Sequence, residues 1–490
     1  MSDKAILVGG EWRIGRGPAI KAINPANGDI LCTFNGADIT DVNDAIDAAK
    51  QAMSEPAWRD LKPVERAQYL YRIAELLSAD AKRIAELQTL DTGKCLTETL
   101  ALVNSAVGTF RYVAAALETL DDTLTSPRGD YFTMSVYEPM GVIAAITPWN
   151  SPIASEAQKV APALAGGNAV ILKPAESSSL VALELGKICL AAGLPKALIS
   201  VLPGRGSVVG NAMVKHPDIK KVSFTGGTST GRRIAEMAAR KLMPVSLELG
   251  GKSPTIVFED ADIDHAVNGV MYGIFSSTGQ SCIAGSRLFV QQGIYNRFVE
   301  QLITKTKQLR VGLPTDSRTQ VAPMASFEHR DSVAGYVDLA RSEGATVLCG
   351  GEIPSGGDYD KGAFYLPTIL TGLDNQTRTC REEIFGPVLV VLPFNDEEDL
   401  VKQANDSDYG LACGLWTENY KKAYRLARRI EAGTVWINTY KQFSISTPFT
   451  GIKDSGMGKE KGREGIREYM QQKSLYWGLN PTPLAWAEPR

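Results

Sequence analysis

The chain has 490 residues, of which 44% are hydrophobic and 22% are charged. This length exceeds what one hydrophobic core usually serves, so two or three domains are predicted for a chain of otherwise ordinary globular composition. The 52 Lys and Arg residues nearly balance the 55 Asp and Glu residues, giving a net charge of -3, so bulk charge recruits neither nucleic acid nor an anionic membrane.

The seven cysteines lie between Cys32 and Cys413 and form no C-x-x-C pair. An odd number without such a pair argues against a disulfide framework and a structural zinc site, and no metal is expected. The N-terminal M-S-D-K-A-I-L-V-G-G has no long apolar segment, and no uninterrupted run approaches the roughly 18 apolar residues that a membrane span needs. We therefore expect a cytoplasmic protein with no membrane partner.

The first 138 residues show three successive patterns. Over residues 5–35, short apolar runs alternate with Gly, Asn and Pro, which predicts hairpins laid on a larger body. From Asp41 to about Leu120, apolar residues recur with helical spacing. Residues 121–138 then alternate polar and β-branched residues around P-R-G-D, which indicates an extended hairpin arm.

The segment from Gly141 to Gly251 contains five short, nearly continuous apolar runs: G-V-I-A-A-I, A-V-I-L, L-I-S-V-L, K-V-S-F and P-V-S-L-E-L. Such runs are typical of strands that are buried on both faces of a parallel sheet. The stretches between them predict four helices, over 153–164, over 180–192, just after Gly206, and over 231–241. Five strands with four crossovers predict a doubly wound α/β layer.

Polar residues would follow the carboxyl ends of these strands, where open α/β sheets bind their ligands. The residues concerned are Asn150, Lys173, Glu176, the Gly204 loop, Thr225, Gly226 and Glu248.

A second α/β unit is predicted from S-P-T-I-V-F to about Tyr440. Asp262 or Asp264 can cap a helix with one apolar face, and Gly279 would end it and deliver Cys282 into a turn before the strand R-L-F-V. Further alternation predicts helix 295–309, strand 345–349, the E-I-F-G-P-V-L-V-V run, helix 419–431, strand T-V-W-I-N and a short mixed tail from residue 469.

Cys282 lies in the small and flexible stretch G-Q-S-C-I-A-G. A thiolate is a strong nucleophile near neutral pH, although a cysteine among small residues is more often a packing group. The catalytic interpretation is favoured by four further motifs: T-P-W-N at 147–150, L-K-P-A-E at 172–176, E-L-G-G-K at 248–252 and E-E-I-F-G-P-V at 382–388.

With these motifs in this order, the chain resembles the NAD(P)-dependent aldehyde dehydrogenase superfamily over essentially its whole length. The resemblance implies a homodimer or homotetramer of three-part subunits, in which an arm adds strands to a neighbour's sheet. The implied parts are a NAD-binding domain (1–120 and 139–249), a catalytic domain (250–440), an oligomerisation arm (121–138 and 470–490), and a segment that returns to the cofactor domain and lines the substrate tunnel (441–469).

The resemblance also implies the chemistry. Cys282 would add to an aldehyde to give a thiohemiacetal that can expel hydride, with its oxyanion held by the amide of Asn150 and the backbone N–H of Cys282. Glu248 would be the base for hydrolysis of the thioester that remains. The residues alone leave two other interpretations open: Asn150 as a helix cap, and Glu248 as the ion-pair partner of Lys252 or Arg287.

The first strand-to-helix turn lacks G-x-G-x-x-G, so the cofactor site is implied by the resemblance and not by that fingerprint. Lys173 and Glu176 would hydrogen-bond the adenine-side ribose, where a carboxylate disfavours a 2′-phosphate and therefore favours NAD over NADP. In F-T-G-G-T-S-T-G, the turn that opens a helix at about Ser229 suits a pyrophosphate. The remaining implied cofactor contacts are Thr147, Trp149, Gly206, Thr225, Gly226, Gly227, Leu249, Glu383 and Phe385.

The implied substrate tunnel is lined by Ser151, Ser155, Gln158, Ser281, Ile283, Phe443 and Phe449, with Lys441 near its mouth. Many relatives have large aromatic or apolar side chains on the helix that carries Ser151, Ser155 and Gln158. We therefore expect a roomier and more polar pocket, suited to a hydroxylated, cyclic or carboxylate-bearing aldehyde.

Three other functions remain open. A CoA-acylating relative would pass the acyl group to CoA, although such enzymes tend to lack the base that corresponds to Glu248. A Cys-His hydrolase would need His216, His265 or His329, and no pattern marks any of them as a base. A catalytically silent NAD-binding or structural protein would keep the fold alone.

Overall fold

The computed structural model describes residues 6–482 and residue 486. Its first part contains two β-hairpins followed by helices, as the alternation and the spacing predict. The elements are β1 (Ile6–Val8), β2 (Glu11–Arg13), β3 (Ala19–Ile23), β4 (Ile30–Asn35), α1 (Ile39–Ser54), α2 (Pro56–Arg59), α3 (Pro63–Ala79), α4 (Ala81–Thr92) and α5 (Leu96–Glu118). Local chemistry sets the ends: Asp38 and Asp41 form a capping box at the start of α1, and Gly93, with φ of 72°, ends α4.

The next part is a short hairpin and then regular alternation of strands and helices. The hairpin is β5 (Thr123–Leu124) and β6 (Tyr131–Pro139). The alternating elements are β7 (Val142–Ile146), α6 (Pro152–Ala165), β8 (Ala169–Lys173), α7 (Leu180–Ala191), β9 (Ile199–Val201), α8 (Asn211–Lys215), β10 (Ile219–Thr225), α9 (Thr228–Ala239) and β11 (Val245–Glu248). These are the five predicted strands and four predicted helices, with ends shifted by a few residues.

The second α/β unit follows directly. Its elements are β12 (Pro254–Val257), α10 (Ile263–Phe275), β13 (Arg287–Gln291), α11 (Tyr295–Thr306), α12 (Phe327–Ser342), β14 (Thr346–Cys349), β15 (Thr368–Thr371), α13 (Arg378–Arg381), β16 (Val388–Phe394), α14 (Glu397–Asn405), β17 (Tyr409–Gly410), β18 (Ala412–Trp416), α15 (Tyr420–Ala427) and β19 (Thr434–Ile437). The last part of the described chain contains β20 (Ile452–Lys453), β21 (Gly456–Met457), α16 (Gly462–Arg467) and β22 (Met470–Gly478).

The first sheet has the strand order β2-β1-β9-β8-β7-β10-β11-β21. Strands β7 to β11 run parallel, which confirms the predicted doubly wound layer, whereas β1 and β21 join its two sides in antiparallel orientation. Thr225 is paired with Glu248, and Ile146 with Lys173, so these strands end at one level. The residues that follow the strands therefore share the edge where open α/β sheets bind ligands.

The second sheet has the order β14-β15-β16-β13-β12-β18-β19 and is parallel except for β14. Asp262, and not Asp264, caps α10, since its carboxylate accepts from the backbone N–H of His265 at 2.9 Å. Helix α12 was not predicted because only Val333, Val337 and Ala340 are buried on it, which leaves a narrow apolar stripe. Helix α14 was missed for the same reason.

A third, small sheet pairs the ends of the predicted arm. Its order is β22-β6-β5, and β22 runs antiparallel to β6 along its full length, from Met470 against Pro139 to Gly478 against Tyr131. The hairpin and the tail of the chain therefore form one ribbon, while the predicted arm residues 483–485 and 487–490 lie outside the described residues.

One helix, α5, is long and apolar enough to cross a membrane by length and composition alone. It was not predicted as such because Asn104, Ser105 and Arg111 interrupt its apolar residues. Half of its most apolar window is buried, and the helix packs against α3, α4 and α6, so its composition is accounted for by its place in the core.

Candidate active site

A cavity of about 190 Å³ opens at the carboxyl edge of the first sheet. Residues that follow β7, β10 and β11 line it from one side, and the cysteine loop after α10 and the segment before β16 line it from the other. The predicted residues in its lining are Trp149, Asn150, Thr225, Gly226, Gly227, Leu249, Cys282, Glu383 and Phe385. The structure adds Pro148, Gly250 and His329, which sequence reasoning did not assign to the site.

The loop that carries Cys282 is held in an unusual backbone conformation. After α10 ends, Ser277 and Thr278 have φ of 57° and 54°, and Gly279 follows with φ of +69°. Non-glycine residues in this region cost on the order of 1–3 kcal/mol each, so the surroundings must hold them there. A side chain at Gly279 would collide with the carbonyl oxygen of Gly386, which shows how closely the loop packs on the segment before β16.

Cys282 is half-buried and lines the cavity. Burial raises the pKa of this thiol to about 12, and the nearby carboxylates of Glu383 and Glu248 act in the same direction. The thiol is therefore protonated near neutral pH in this structure, and a proton must be removed before the sulfur can act as a nucleophile.

The side chain of Asn150 points at the cysteine loop. Its amide nitrogen donates to the carbonyl oxygen of Gln280 at 3.0 Å. The N-cap position of α6 is occupied by Ser151, so Asn150 is not the helix cap that its place after a strand also allowed. An amide donor and the thiol of Cys282 thus line one cavity. An oxyanion that forms when the sulfur adds to a carbonyl carbon requires such a donor near the sulfur.

Glu248 is the last residue of β11 and is buried, with no hydrogen-bond partner for its Oε2. It forms no ion pair with Lys252 or Arg287: the Arg287 guanidinium donates to the carbonyl oxygens of Lys252 and Ala404, and Lys252 Nζ has no partner in the described chain. Burial raises the pKa of Glu248 well above its ordinary value, and the negative charge of Glu460 raises it further. A carboxyl of this kind, near a cavity, is typical of an acid–base group.

A buried ion pair beside Glu248 was missed from the sequence. Lys159 Nζ lies 2.5 Å from Glu460 Oε1, both side chains are almost fully buried, and Lys159 also donates to Ser223 Oγ at 3.1 Å. The two charges act on Glu248 in opposite directions, Glu460 raising its pKa and Lys159 lowering it. The only signal in the sequence was a lysine directly before the apolar run 160–165 of helix α6.

His329 forms part of the cavity wall together with two aromatic side chains. Its ring lies 5.0 Å from that of Trp149, and its Nε2 lies 2.8 Å from the carbonyl oxygen of Phe385. Because a carbonyl only accepts, this nitrogen donates its proton to the carbonyl oxygen of Phe385, and burial lowers the pKa of the ring. No sequence pattern marked His329 as a cavity residue, because it lies on the unpredicted helix α12.

Glu383 and Phe385 lie where E-E-I-F-G-P-V turns into β16. Glu383 Oε1 accepts from the backbone N–H of Gly251 at 2.9 Å, and burial raises the pKa of this carboxyl to about 7. A side chain at Gly250 would meet Glu383 Oε2 at 2.4 Å, so glycine is needed for the carboxyl to sit against the loop after β11.

A second cavity of about 310 Å³ lies at the same sheet edge and contains Glu176. Its lining is Pro18, Ala19, Ile20, Lys21, Glu176, Ser177, Gly204 and Arg205. Lys173 is buried nearby, donates to the carbonyl oxygen of Pro174 at 3.0 Å, and has its pKa lowered by burial to about 8.

These two cavities fit a dinucleotide. A Cβ added at Gly206 or Gly227 would meet no atom within 4 Å, so backbone is open to a ligand at both places. Thr147 is buried at the end of β7, and its Oγ1 has no hydrogen-bond partner in the described chain. A carboxylate in one cavity and an aromatic wall in the other are the features that ribose hydroxyls and a flat ring require.

The predicted tunnel residues occupy three places. Ser151 and Ser155 are half-buried at the start of α6, and Gln158 lines a cavity of about 10 Å³ together with Lys461. Ser281 and the buried Ile283 flank the cysteine. Phe443 and Phe449 pack edge to face with ring centres 5.6 Å apart, and Lys441 Nζ donates to Ser276 Oγ at 2.8 Å.

Comparison with known proteins decides the family. Residues 12–475 match the model of the aldehyde dehydrogenase family. A betaine aldehyde dehydrogenase of Mesorhizobium japonicum is 42% identical over 94% of both chains, and one of Bacillus subtilis is 37% identical over 99% of both. The chain belongs to the aldehyde dehydrogenase family.

Solved structures agree with this assignment. An aldehyde dehydrogenase of Bacillus cereus in complex with NAD+ has a TM-score of 0.95 at 36% identity, covering 98% of this chain and 97% of its own. The betaine aldehyde dehydrogenase of Staphylococcus aureus with NAD+ has a TM-score of 0.97 at 36% identity, covering 99% of this chain and 97% of its own. The predicted fold class and the predicted enzyme class, an oxidoreductase that acts on the aldehyde group, are confirmed. The roles of the individual site residues stay predictions.

Proposed function

We propose that this aldehyde dehydrogenase oxidises its aldehyde to the carboxylic acid with NAD as the hydride acceptor. The observation that carries the proposal is the grouping of Cys282 and Asn150 in one cavity, with the unpaired carboxyl of Glu248 buried beside it. The presence of NAD+ in solved relatives supports the choice of cofactor.

In the first step, the thiol of Cys282 gives its proton to a water molecule, and the sulfur forms a bond to the aldehyde carbon as the carbon–oxygen π bond breaks. The carbonyl oxygen becomes an oxyanion, and the Asn150 amide and the Cys282 backbone N–H donate to it. One such donor is worth about 3–4 kcal/mol of transition-state stabilisation in measured oxyanion holes.

NAD, when bound, supplies the acceptor for the hydride that the thiohemiacetal expels. Glu176 and Lys173 hold its adenine-side ribose, and the carboxylate of Glu176 repels a 2′-phosphate, which favours NAD over NADP. Glu383 holds the second ribose, Trp149 and Phe385 line the nicotinamide cleft, and the turn before α9 receives the pyrophosphate. The accessible backbone at Gly206 and Gly227 supports these assignments.

After hydride loss the acyl group remains on Cys282 as a thioester. Glu248 then takes a proton from water as the oxygen attacks the acyl carbon, the carbon–sulfur bond breaks, and the acid leaves while Glu248 returns the proton to the sulfur. The raised pKa of Glu248 makes it a stronger base than an ordinary carboxylate. The presence of this group favours hydrolysis over transfer to CoA.

Three of the four relatives named above carry the name of betaine aldehyde, an aldehyde with a quaternary ammonium group. For this chain we propose a polar, cyclic or carboxylate-bearing aldehyde, because Ser151, Ser155 and Gln158 give the predicted tunnel hydroxyl and amide groups.

A panel of aldehydes with NAD or NADP, followed at the NADH absorbance band, tests the reaction. We expect reduction of NAD, a lower kcat/KM with NADP, and the free acid as product even when CoA is present. Acyl-CoA as the main product would show the CoA-acylating reaction instead, and no reduction of either cofactor with any aldehyde would favour a silent binding protein.

We also propose the division into a NAD-binding domain (1–120 and 139–249), a catalytic domain (250–440), an arm (121–138 and 470–490) and a returning segment (441–469). The return of the chain to the first sheet at β21 supports it. In limited proteolysis we expect the connections between these units to be cut first. If the protease cut within 1–120 or 250–440 earlier than at the connections, the division would be wrong.

The arm supports a homodimer or homotetramer. Its ribbon exposes large apolar side chains, Leu124 at 67%, Tyr476 at 69% and Leu479 at 65%. Burying such residues against a second copy is favourable. We expect sedimentation velocity to give the mass of a dimer or tetramer at micromolar concentration, and a monomer would contradict the proposal.

The seven cysteines are all free thiols in the structure, which supports a reducing cytoplasm as the site of action. Recovery of the enzyme in an exported cell fraction would contradict this.

A further inference from the structure

The ammonium group of Lys461 lies over the rings of Phe443 and Phe449, two residues of the predicted tunnel. Lys461 Nζ lies 3.8 Å from the ring centre of Phe443 and 5.3 Å from that of Phe449. A second lysine repeats the arrangement, since Lys441 Nζ lies 6.0 Å from the ring centre of Tyr272. We call these five residues the lysine–aromatic cluster.

The ammonium of Lys461 has no counter-ion of its own. No carboxylate in the described chain lies within ion-pairing distance of it, and the adjacent Glu460 is paired with Lys159 instead. Lys461 lines a small cavity together with Gln158, a predicted tunnel residue, and it lies within electrostatic range of Glu460, Glu248 and Cys282.

Lys441 is similarly placed. Its Nζ donates to Ser276 in the loop that precedes Cys282, and the charges that act on it are those of Glu98, Lys94 and Cys282. Glu98 forms no ion pair with it, because Glu98 Oε1 accepts from the backbone N–H of Ser277 at 2.6 Å. Burial lowers the pKa of Lys441 to about 7 and that of Lys461 to about 8, as expected for ammonium groups without a carboxylate partner.

Aromatic faces bind quaternary ammonium ligands when they are free to do so. In this chain the faces of Phe443, Phe449 and Tyr272 are taken by the protein's own cations, so a cationic aldehyde would meet like charge. A carboxylate would instead find the Lys461 ammonium, and the Nζ donors of Lys441 that Ser276 does not use.

We propose that the lysine–aromatic cluster selects an aldehyde that carries a carboxylate and rejects one that carries a quaternary ammonium group. This inference rests on the proposed function, because it names the substrate class of that site. Lys461 is the main specificity-determining residue, and Lys441 adds to its field.

The test compares charged aldehydes with neutral ones of the same shape. Succinic, glutaric and adipic semialdehydes are each paired with their neutral ω-amide, and betaine aldehyde is paired with tert-butylacetaldehyde. We expect the best semialdehyde to exceed its amide in kcat/KM by about 10- to 100-fold, the scale of a hydrogen bond to a charged group, and betaine aldehyde to fall below its isostere. Both aldehydes of a pair are measured with the same enzyme preparation. A smaller fraction of folded enzyme therefore lowers both kcat/KM values equally and leaves their ratio unchanged.

Lys461→Met removes the charge and keeps the length of the side chain. We expect it to lower the semialdehyde-to-amide ratio toward one and to raise the betaine-to-isostere ratio, while Lys461→Arg keeps both ratios. Lys459→Met is the matched control, since Lys459 is exposed two residues away and carries the same charge. This control should leave both ratios unchanged.

The outcomes separate the inference from the function. If neutral aldehydes reduce NAD but the wild-type ratios favour betaine aldehyde, or Lys461→Met leaves both ratios unchanged, the inference is wrong and the proposed function stands. If no aldehyde of any charge reduces NAD, the proposed function itself fails.

Discussion

Replacing Cys282 by alanine is expected to lower aldehyde turnover on the order of 10⁴-fold or more, the scale on which removal of a covalent nucleophile acts in other enzymes. Without the sulfur no thiohemiacetal forms, and a planar aldehyde carbon is too electron-poor to release hydride. Binding of NAD should persist with a similar Kd, because Glu176 and its cavity do not involve the cysteine. NADH production and isothermal titration calorimetry measure the two effects separately.

The matched control is Cys32→Ala, at a half-buried cysteine on β4 outside both cavities. It should keep turnover within about twofold, since surface substitutions away from special features have small effects. Turnover of the Cys282→Ala variant at the wild-type rate would remove the sulfur from the mechanism. Loss of NAD binding together with turnover would instead show that the substitution had damaged the fold.

Replacing Glu248 by glutamine is expected to separate the two halves of the reaction. The amide keeps the shape of the side chain but cannot accept a proton, so hydrolysis of the thioester should slow by about 10²- to 10⁴-fold. Hydride loss comes before hydrolysis, so the first turnover should still release about one NADH per active site. Stopped-flow absorbance would record this burst followed by a slow steady state.

Glu236→Gln serves as the control, since Glu236 is exposed on α9 and the change in charge is the same. It should show neither a burst nor a slower steady state than the wild type. If Glu248→Gln lowered the burst as much as the steady state, the residue would act before hydride loss and its assignment as the hydrolytic base would be wrong.

The sequence predicted much of this site because its motifs follow strand ends. Thr225 and Glu248 come directly after buried apolar runs, and parallel strands bring their carboxyl ends to one edge, so local pattern and topology together placed them. The resemblance to a known family then supplied the expected roles. What local pattern could not supply was orientation: whether Asn150 capped α6 or faced the cysteine loop depended on a contact 130 residues away.

Other features were invisible in the sequence for the same reason. Lys159 and Glu460 are 301 residues apart, and neither is marked by periodicity as a member of a buried pair. His329 reached the cavity on a helix whose apolar stripe was too narrow to predict. The sequence did not predict a buried role for Lys461, because a lysine that follows a glutamate is typical of a solvent-exposed charged segment.

By itself, then, the sequence determined the α/β class, the places of most strands along the chain and the sheet edge at which Glu248 and Asn150 lie. Hydrophobic periodicity and capping are properties of neighbouring residues, and they fix these features locally. The raised pKa of Glu248, the wall formed by His329 and the lysine–aromatic cluster were decided only by the tertiary structure. Each depends on burial and on charges brought together from distant parts of the chain, and both quantities exist only once the chain has folded.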